Sequence, residues 1–267
     1  AMGYVDLHVH TTHSDGALSP AQMVEKAKAA GVTTLAIADH DKISGSQEAA
    51  PLCARAGIRL IPAVEVDTIL HGVLVHVLAY FPDFANTAFL AMLQDSRAKL
   101  DGMSDILIDR LAARGKNVSR EEYAFFPEMR EKGGWKALYY LAHKGIVAAP
   151  KQALRLYGDY GVRYADQGFI ATENAIRVIH ESGGQAVLAH PRETFGDPLE
   201  KQVRQALELA FDGIECHYPR HDRKTTWLLR TLCREKKLYE TCGSDDHGGF
   251  SGADVGSLKI TALPAGW

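Results

Sequence analysis

Cysteine is scarce in this 267-residue sequence, which has only four. Cys53, Cys216, Cys233 and Cys242 form no C-x-x-C pair, and this excludes the common paired-cysteine motifs for metal or redox chemistry. Isolated cysteines of this kind are typical of buried, reduced thiols, and such thiols persist in the cytoplasm. We therefore expect a cytoplasmic protein.

The sequence also lacks long apolar runs, internal repeats and an excess of basic charge. No apolar run is long enough to span a membrane, so we expect no membrane partner. The formal net charge of -3 argues against binding of duplex DNA through a broad basic surface. A local anion site is compatible with this charge, and the sequence predicts no particular oligomeric state.

What the sequence does contain is typical of a globular α/β protein. Hydrophobic residues make up 46% and charged residues 24%, which are ordinary values for such a protein. The length suits one large α/β domain, or one domain that carries an insertion. The 12 histidines are more than expected by chance, and their positions support the functional interpretation.

The first informative stretch covers residues 4–16, where Asp6, His8 and His10 alternate with apolar residues. Successive side chains of a strand point to opposite faces, so these three polar side chains share one face. Two imidazoles on one face can bind the same metal ion, and Asp15 follows in a turn rich in serine and glycine. The alternative is an exposed strand in which the pattern arose by chance.

Residues 19–80 alternate between predicted helices and strands. Helices are expected to begin near Ser19 and Ser44, each followed three residues later by a glutamine that could complete a capping box. Strands are expected over residues 32–39, 59–66 and 73–80. This alternation predicts parallel strands with right-handed crossovers, and functional sites of such folds collect at the carboxyl ends of the strands.

Polar residues fall at or near these predicted strand ends. His40 follows the second strand, and Glu65 lies near the carboxyl end of the third. After residue 166 the α/β rhythm resumes, and further strands end in His190 and in the segment before His247. Nine residues are therefore predicted to converge: His8, His10, Asp15, His40, Glu65, His76, His190, Asp245 and His247.

This set has more ligands than one zinc ion requires. It suits two or three divalent ions that share a bridging carboxylate and together polarise a phosphoryl group. Mixed imidazole and carboxylate ligands fit manganese, iron or zinc and do not choose among them.

Residues 82–166 break the α/β rhythm. We predict a helix over residues 87–111, a second one capped by Ser119, and a third over residues 135–144. Because no convincing buried strand lies among them, we interpret residues 82–166 as a helical insertion domain for substrate recognition. Residues 1–81 and 167–267 would then form the metal-binding barrel.

The order of these motifs resembles that of the PHP (polymerase and histidinol phosphatase) family. The matching elements are D-L-H-x-H at residues 6–10, the Ser-Asp-Gly turn at 14–16, A-D-H-D at 38–41, Glu65, His76, A-H-P at 189–191 and G-S-D-x-H at 243–247. They span nearly the whole chain apart from the insertion. The resemblance implies a distorted (β/α)7 barrel with three metal ions.

The resemblance also implies the ligands of each ion and the catalytic residues. The three groups would be His8, His10, Glu65 and Asp245; Glu65, His76 and His190; and Asp15, His40 and His247. Manganese is the favoured ion, with iron or zinc as alternatives. Glu65, Asp15 and His247 are the expected catalytic residues, whereas Asp6 and Asp39 are expected to orient neighbouring imidazoles.

The helical insertion resembles the branch that includes 3',5'-nucleoside bisphosphate phosphatases and 5'-to-3' exoribonucleases. This implies removal of the 3'-phosphate from nucleoside 3',5'-bisphosphates, such as adenosine 3',5'-bisphosphate, with AMP and phosphate as products. Members often carry a G-R-P-H-like element in the insertion. Here the nearest stretch is Gly133-Gly134-Trp135-Lys136, without the arginine and histidine, so recognition of phosphate must differ in detail.

Basic residues near the predicted strand ends and in the insertion are candidates for binding substrate. They are Arg130, Lys136, Arg192, His217 and His221. A guanidinium can bind phosphate through two hydrogen bonds, although each of these residues could instead form an ordinary surface ion pair or face solvent.

Two other functions compete with a bisphosphate phosphatase that acts on a small nucleotide. One is a 5'-to-3' exoribonuclease that uses the same metals on short RNA ends. The other is a non-catalytic metal-binding module of the PHP type. A degenerate module should have lost ligands, and all nine are present in this sequence.

Overall fold

The structure is a computed structural model that describes residues 3–267. Its strands form two sheets. The first sheet is parallel and contains β1 (Tyr4–Val9), β2 (Val32–Ile37) and β3 (Arg59–Leu60). The second contains, in spatial order, β4 (Ala63–Leu70), β5 (Val73–Tyr80), β6 (Gln185–Leu188), β7 (Gly213–His217) and β8 (Tyr239–Cys242).

Ten α-helices of the described residues surround or extend these sheets. They are α1 (Pro20–Ala29), α2 (Ser44–Ala56), α3 (Thr87–Ala113), α4 (Arg120–Phe125), α5 (Lys136–His143), α6 (Leu154–Asp159), α7 (Thr172–Glu181), α8 (Pro191–Phe195), α9 (Leu199–Ala206) and α10 (Arg223–Lys236). No helix within residues 3–267 combines the length and apolarity that crossing a membrane would require. All four cysteines are buried free thiols.

The two sheets adjoin at two places, and both carry predicted metal ligands. At one, the Asp245 N–H donates to the His8 carbonyl at 2.8 Å, next to a bridge between Val9 and Asp246. At the other, His40 and Glu65 form a parallel bridge. The chain therefore has an α/β fold of two adjoining sheets, whereas closure of the sheets into a (β/α)7 barrel stays a prediction.

The third predicted strand, over residues 59–66, is divided in two, which changes the position of Glu65. Pro62 lies between β3 and β4 and has no N–H to donate to a neighbouring strand. Glu65 is therefore the third residue of β4, near its amino end, and its N–H donates to the Ala38 carbonyl at 3.2 Å. The expectation that Glu65 lies near a carboxyl end is wrong.

The expectation of parallel strands holds for part of the structure only. Strands β4 and β5 pair antiparallel, as do β5 and β6, while β6, β7 and β8 pair parallel. The link between β4 and β5 consists of His71 and Gly72, both with positive φ. Two residues make a hairpin but are too few for the crossover that parallel neighbours need.

Helix caps were predicted correctly at Ser19 and Ser119 and wrongly at Ser44. Ser19 accepts the Gln22 N–H, and the Gln22 side chain returns a bond to the Ser19 backbone, so the capping box of α1 is confirmed. Helix α2 is preceded by Ile43 and has no side-chain cap. The Ser44 hydroxyl instead lies 2.7 Å from Nδ1 of His13.

Residues 82–166, all within the described part, contain helices and turns and no strand. Helix α3 connects two hydrophobic cores. Its first half contributes Phe89 and Leu93 to the core beneath the second sheet, and its second half contributes Leu107 to a separate core shared with α4, α5 and α6. We call residues 82–166 the helical segment; its status as a separate domain stays a prediction.

Candidate metal centre

All nine predicted ligands converge in the structure. Their donor atoms form groups in which every atom lies within 4.8 Å of the others: His8, His10, Glu65 and Asp245; Glu65, His76 and His190; His10, Asp15, His40 and His247; and His40, Asp67 and His76. The first two groups have the predicted members. The third additionally includes His10, and the fourth contains Asp67, which the sequence analysis did not propose as a ligand.

Glu65 lies at the centre of this cluster and is only 1% exposed. Its Oε2 atom is 3.1 Å from Nε2 of His8 and 3.2 Å from Nε2 of His10. Its Oε1 atom is 3.0 Å from Nδ1 of His76 and 2.9 Å from Nε2 of His190. One carboxylate thus faces two different histidine pairs, which is the geometry that a bridging ligand requires.

The third group joins the loop after β1 to the loop after β8. Asp15 Oδ1 lies 3.4 Å from Nε2 of His247, and the rings of His10 and His247 stack with centroids 4.1 Å apart. The turn around Asp15 is held by Asp39, whose Oδ1 accepts the Thr11 N–H at 2.8 Å. Asp39 therefore supports a backbone turn, and the expectation that it orients an imidazole is wrong.

Asp6 also holds backbone. Its carboxylate accepts the N–H groups of Ser244 at 3.0 Å and of Gly256 at 2.8 Å. These bonds attach the loop that carries Asp245 to β1. Burial raises the pKa of Asp6 to about 6, although the backbone N–H groups partly offset this increase.

Two other carboxylates orient the imidazoles. Glu215 is fully buried, with Oε1 2.9 Å from Nδ1 of His8 and Oε2 accepting the His190 N–H at 2.8 Å. Asp67 Oδ1 lies 3.0 Å from Nδ1 of His40. A carboxylate on one ring nitrogen fixes the tautomer and leaves the other nitrogen free for a metal. The signal for Asp67 was its spacing of two from Glu65, which places both side chains on one strand face.

Electrostatics of the cluster favour bound cations. Burial opposes ionisation of Glu65, yet the imidazoles of His8, His40 and His76 lower its pKa well below the usual range. Burial likewise opposes charge on His247, but Asp15 and Asp245 raise its pKa to about 9. Buried carboxylates kept ionised need compensating positive charge, from protons or from divalent ions. The donor set of imidazole nitrogens and carboxylate oxygens fits such ions.

A cavity of about 660 Å³ opens beside the cluster and extends to the helical segment. Asp15, His40 and His76 line it on the metal side. Arg130 and Lys136 line the same cavity, so the structure brings these two predicted substrate-binding residues to the site. Arg97 lines it too, as does Lys42, which had not been singled out as a substrate-binding residue.

The other three predicted substrate-binding residues do not line this cavity. Arg192 makes a bidentate ion pair with Asp197, at 2.6 and 3.0 Å. His217 lines a separate pocket with residues of α10, β8 and the C-terminal segment. His221 is buried, with Nδ1 3.0 Å from the Cys216 carbonyl. These positions do not support contact with a substrate at the cluster, because Arg192 and His221 have local partners and His217 faces a different pocket.

Several known proteins are similar to this chain over most of its length. The family model described as the PHP domain matches residues 6–215. A 5'-3' exoribonuclease of Haemophilus influenzae is 31% identical over 91% of this chain and 89% of its own length. A 3',5'-nucleoside bisphosphate phosphatase of Chromobacterium violaceum is 30% identical over 97% and 92%, respectively. A phosphoribosyl 1,2-cyclic phosphate 1,2-diphosphodiesterase of Eggerthella lenta is 30% identical over 96% and 99%.

A solved structure supports the same relationship. It is described as an amidohydrolase of Chromobacterium violaceum with bound sulfate and no metal. It matches with a TM-score of 0.78 and 27% identity, and the match covers 94% of this chain and 90% of that one. The three curated relatives are named for hydrolysis of phosphate esters but differ in substrate, so they do not decide the substrate of this chain.

We predict that metal binding releases protons at neutral pH. Without metal, His247 has a pKa of about 9 and is therefore protonated at neutral pH, whereas a metal ligand must be neutral imidazole. The affinity for metal should therefore increase as the pH rises towards 9 and decrease as the pH falls. Isothermal titration with Mn²⁺ in two buffers of different ionisation enthalpy measures the release. Metal binding to the Asp15→Asn variant should release fewer protons than binding to the wild type. Equal heats in both buffers for the wild type would contradict the prediction.

Proposed function

The chain belongs to the PHP domain family of metal-dependent phosphoesterases, and we propose that its substrate is a nucleoside 3',5'-bisphosphate. The proposed reaction removes the 3'-phosphate, so that adenosine 3',5'-bisphosphate gives AMP and phosphate. The observation that carries this proposal is a cavity lined both by residues of the ligand cluster and by several cationic side chains. A substrate with two phosphates could contact both groups.

The ligand cluster is the proposed place of the scissile phosphate. Two or three divalent ions, with manganese favoured, would supply Lewis-acid activation of the phosphoryl group there. Glu65 would bridge two ions, since it faces two pairs of histidines. Asp15 and His247 would complete the catalytic set, because Asp15 belongs to the ligand cluster and also lines the cavity.

Cationic side chains in the cavity are the proposed partners of the second phosphate. Burial lowers the pKa of Lys42, and the positive charges of Arg97 and Arg130 lower it further. Arg97 already pairs with Asp101, whereas Arg130 donates to the Thr12 carbonyl at 3.1 Å. An anion placed among these groups would relieve their mutual repulsion, and charge-assisted bonds to phosphate are strong.

The remaining wall of the cavity suits a nucleoside. Tyr123, Trp135, Tyr157 and Tyr164 line it together with apolar side chains such as Met103. Trp135 donates to the Tyr157 hydroxyl at 2.7 Å, which fixes two of these rings. A volume of about 660 Å³ falls in the range of pockets that enclose small ligands. This supports a mononucleotide more directly than a long RNA chain.

A 5'-to-3' exoribonuclease is the second candidate, because the relative of that name is as similar to this chain as the bisphosphate phosphatase is. Both activities would use the same cluster. A non-catalytic module is less well supported, since all nine ligand residues are present and converge. A cytoplasmic location remains part of the proposal.

We predict that Glu65→Gln abolishes most activity while the protein stays folded. Glutamine keeps the shape but loses the charge that faces two histidine pairs, so metal content should fall. The measurements are phosphate release, bound metal by elemental analysis, and circular dichroism. Glu48→Gln is the matched control, because Glu48 is an exposed acid on α2 that pairs with His13. Full turnover by metal-free wild-type protein would contradict metal dependence.

We predict that adenosine 3',5'-bisphosphate yields 5'-AMP and that 5'-AMP is not hydrolysed further. Only one phosphate of a bisphosphate can lie at the cluster, and the other contributes binding that a monophosphate lacks. Phosphorus NMR follows phosphate release and nucleotide identity together. Short 5'-phosphorylated RNAs and phosphoribosyl 1,2-cyclic phosphate, which is named for one relative, belong in the same screen. Recovery of 3'-AMP, or preference for either of these substrates, would contradict the proposal.

Lys42→Met tests the second phosphate site. We expect kcat/KM for the bisphosphate to fall about tenfold to a hundredfold, because a charge-assisted contact contributes roughly 1.5–3 kcal/mol. Hydrolysis of an aryl phosphate, which has no second phosphate, should change little. Arg192→Met is the control, since Arg192 does not line the cavity. Equal losses on both substrates would show that Lys42 does not bind the second phosphate.

A further inference from the structure

The helical segment makes direct contact with the loop that carries Asp15. The Gly134 N–H donates to the Asp15 carbonyl at 2.7 Å, and Arg130 donates to the Thr12 carbonyl at 3.1 Å. Residues distant in sequence therefore hold the backbone on both sides of this turn. This fixes where the Asp15 carboxylate can lie.

The same segment contacts the loop that carries His247. Phe250 belongs to that loop, and its N–H donates to the His247 carbonyl at 3.3 Å. The Phe250 ring packs against Gly133 and Gly134, while Lys151 donates to the Phe250 carbonyl and lies 4.7 Å above its ring. Residues of the helical segment thus touch two of the three loops that supply the third ligand group, the loop after β1 and the loop after β8.

This contact requires glycine at both positions 133 and 134. Both have positive φ, at +73° and +69°. A Cβ atom on Gly133 would lie 2.5 Å from Cβ of Phe250, and one on Gly134 would lie 2.7 Å from its Cζ atom. Any side chain at either position would displace Phe250. The glycine pair stands where many PHP relatives of this type are expected to carry a basic element, and its packing gives it a different role.

We propose that the Gly133–Gly134 turn and Phe250 position Asp15 and His247 to bind a divalent cation. The inference rests on the proposed metal centre and assigns these three residues a positioning role in its third ligand group. Asp15 and His247 come from loops after different strands, and their carboxylate and imidazole are 3.4 Å apart. Small displacements of ligands weaken metal binding, so the contact with the helical segment should set affinity for this ion.

Gly134→Ala is the direct test, and Gly145→Ala is its matched control. Both glycines lie in the helical segment with φ of +69°, but a Cβ atom on Gly145 would meet nothing within 4 Å. Both variants therefore carry similar backbone strain, and only Gly134→Ala displaces Phe250. Mn²⁺ titration followed by electron paramagnetic resonance gives the number and affinity of bound ions without reference to activity.

We expect Gly134→Ala to lower the affinity for one of the bound ions by roughly tenfold to a hundredfold, which is the usual effect of losing a group that supports a ligand. The other ions and the Gly145→Ala variant should bind as the wild type does. Asp15→Asn should lower the affinity for the same ion. The double variant with Gly134→Ala should show little further loss of affinity. Equal titrations of Gly134→Ala and Gly145→Ala would overturn the inference.

Phe250→Ala keeps the test decisive if Gly134→Ala folds poorly. Removing the ring should weaken binding of the same ion. Adding Gly134→Ala to Phe250→Ala should cost little more, because the clash with Phe250 is gone and the remaining close contact, 2.9 Å to Cδ1 of Leu138, is with the end of a flexible side chain. Unchanged metal binding by Phe250→Ala would overturn the positioning role. If Asp15→Asn does not alter metal binding, the ligand set is wrong and the inference fails with it. A failed substrate screen with normal metal titrations would count against the proposed substrate alone.

Discussion

The metal centre depends on one buried anion, the carboxylate of Glu65, which lies 2.9–3.4 Å from nitrogens of five imidazoles. With 1% exposure it cannot rely on water for solvation, and burial alone would favour its neutral form. Its surroundings instead keep it ionised, so positive charge must be present nearby. Protons on the histidines can provide that charge in the metal-free protein, and divalent ions can provide it when bound. Metal binding is therefore an exchange of one kind of positive charge for another.

The fold meets this requirement by bringing strand ends together and by accepting backbone strain. His190 has φ of 24° and Asp245 has φ of 55°, values that are uncommon outside glycine. The strain persists because neighbouring groups hold each residue: Glu215 accepts the His190 N–H, and the His8 carbonyl accepts the Asp245 N–H. Strained residues of this kind cluster at functional sites, where the surrounding structure determines their conformation. Glu215 thus holds both the ring of His8 and the backbone of His190.

The nine converging residues could be predicted because each belongs to a short local pattern near a strand. The long helix α3 was also predictable, with Thr87–Ala113 observed for an expected 87–111, because its pattern is long. The position of Glu65 within its strand was missed because Pro62 interrupts the ladder. Asp67, Glu215 and Lys42 were not assigned their roles, since those depend on contacts between distant elements. Arg192 and His217 show the reverse case: both lie near a strand end, but Arg192 pairs with Asp197 and His217 lines a separate pocket.

The cavity also bears on how a substrate would be selected. Lys42 comes two residues after the predicted ligand His40, in the loop after β2, whereas Lys136 is the first residue of α5. Lys136 lies 4.5 Å from the Tyr123 ring and so already has a partner within the helical segment. In the proposed function, Lys42 therefore comes from the same loop as His40, while the helical segment contributes the aromatic wall and contacts the loops that carry Asp15 and His247. A substrate with two anionic groups could then contact the cluster and Lys42 together, which a 3',5'-bisphosphate can do and a nucleoside monophosphate cannot.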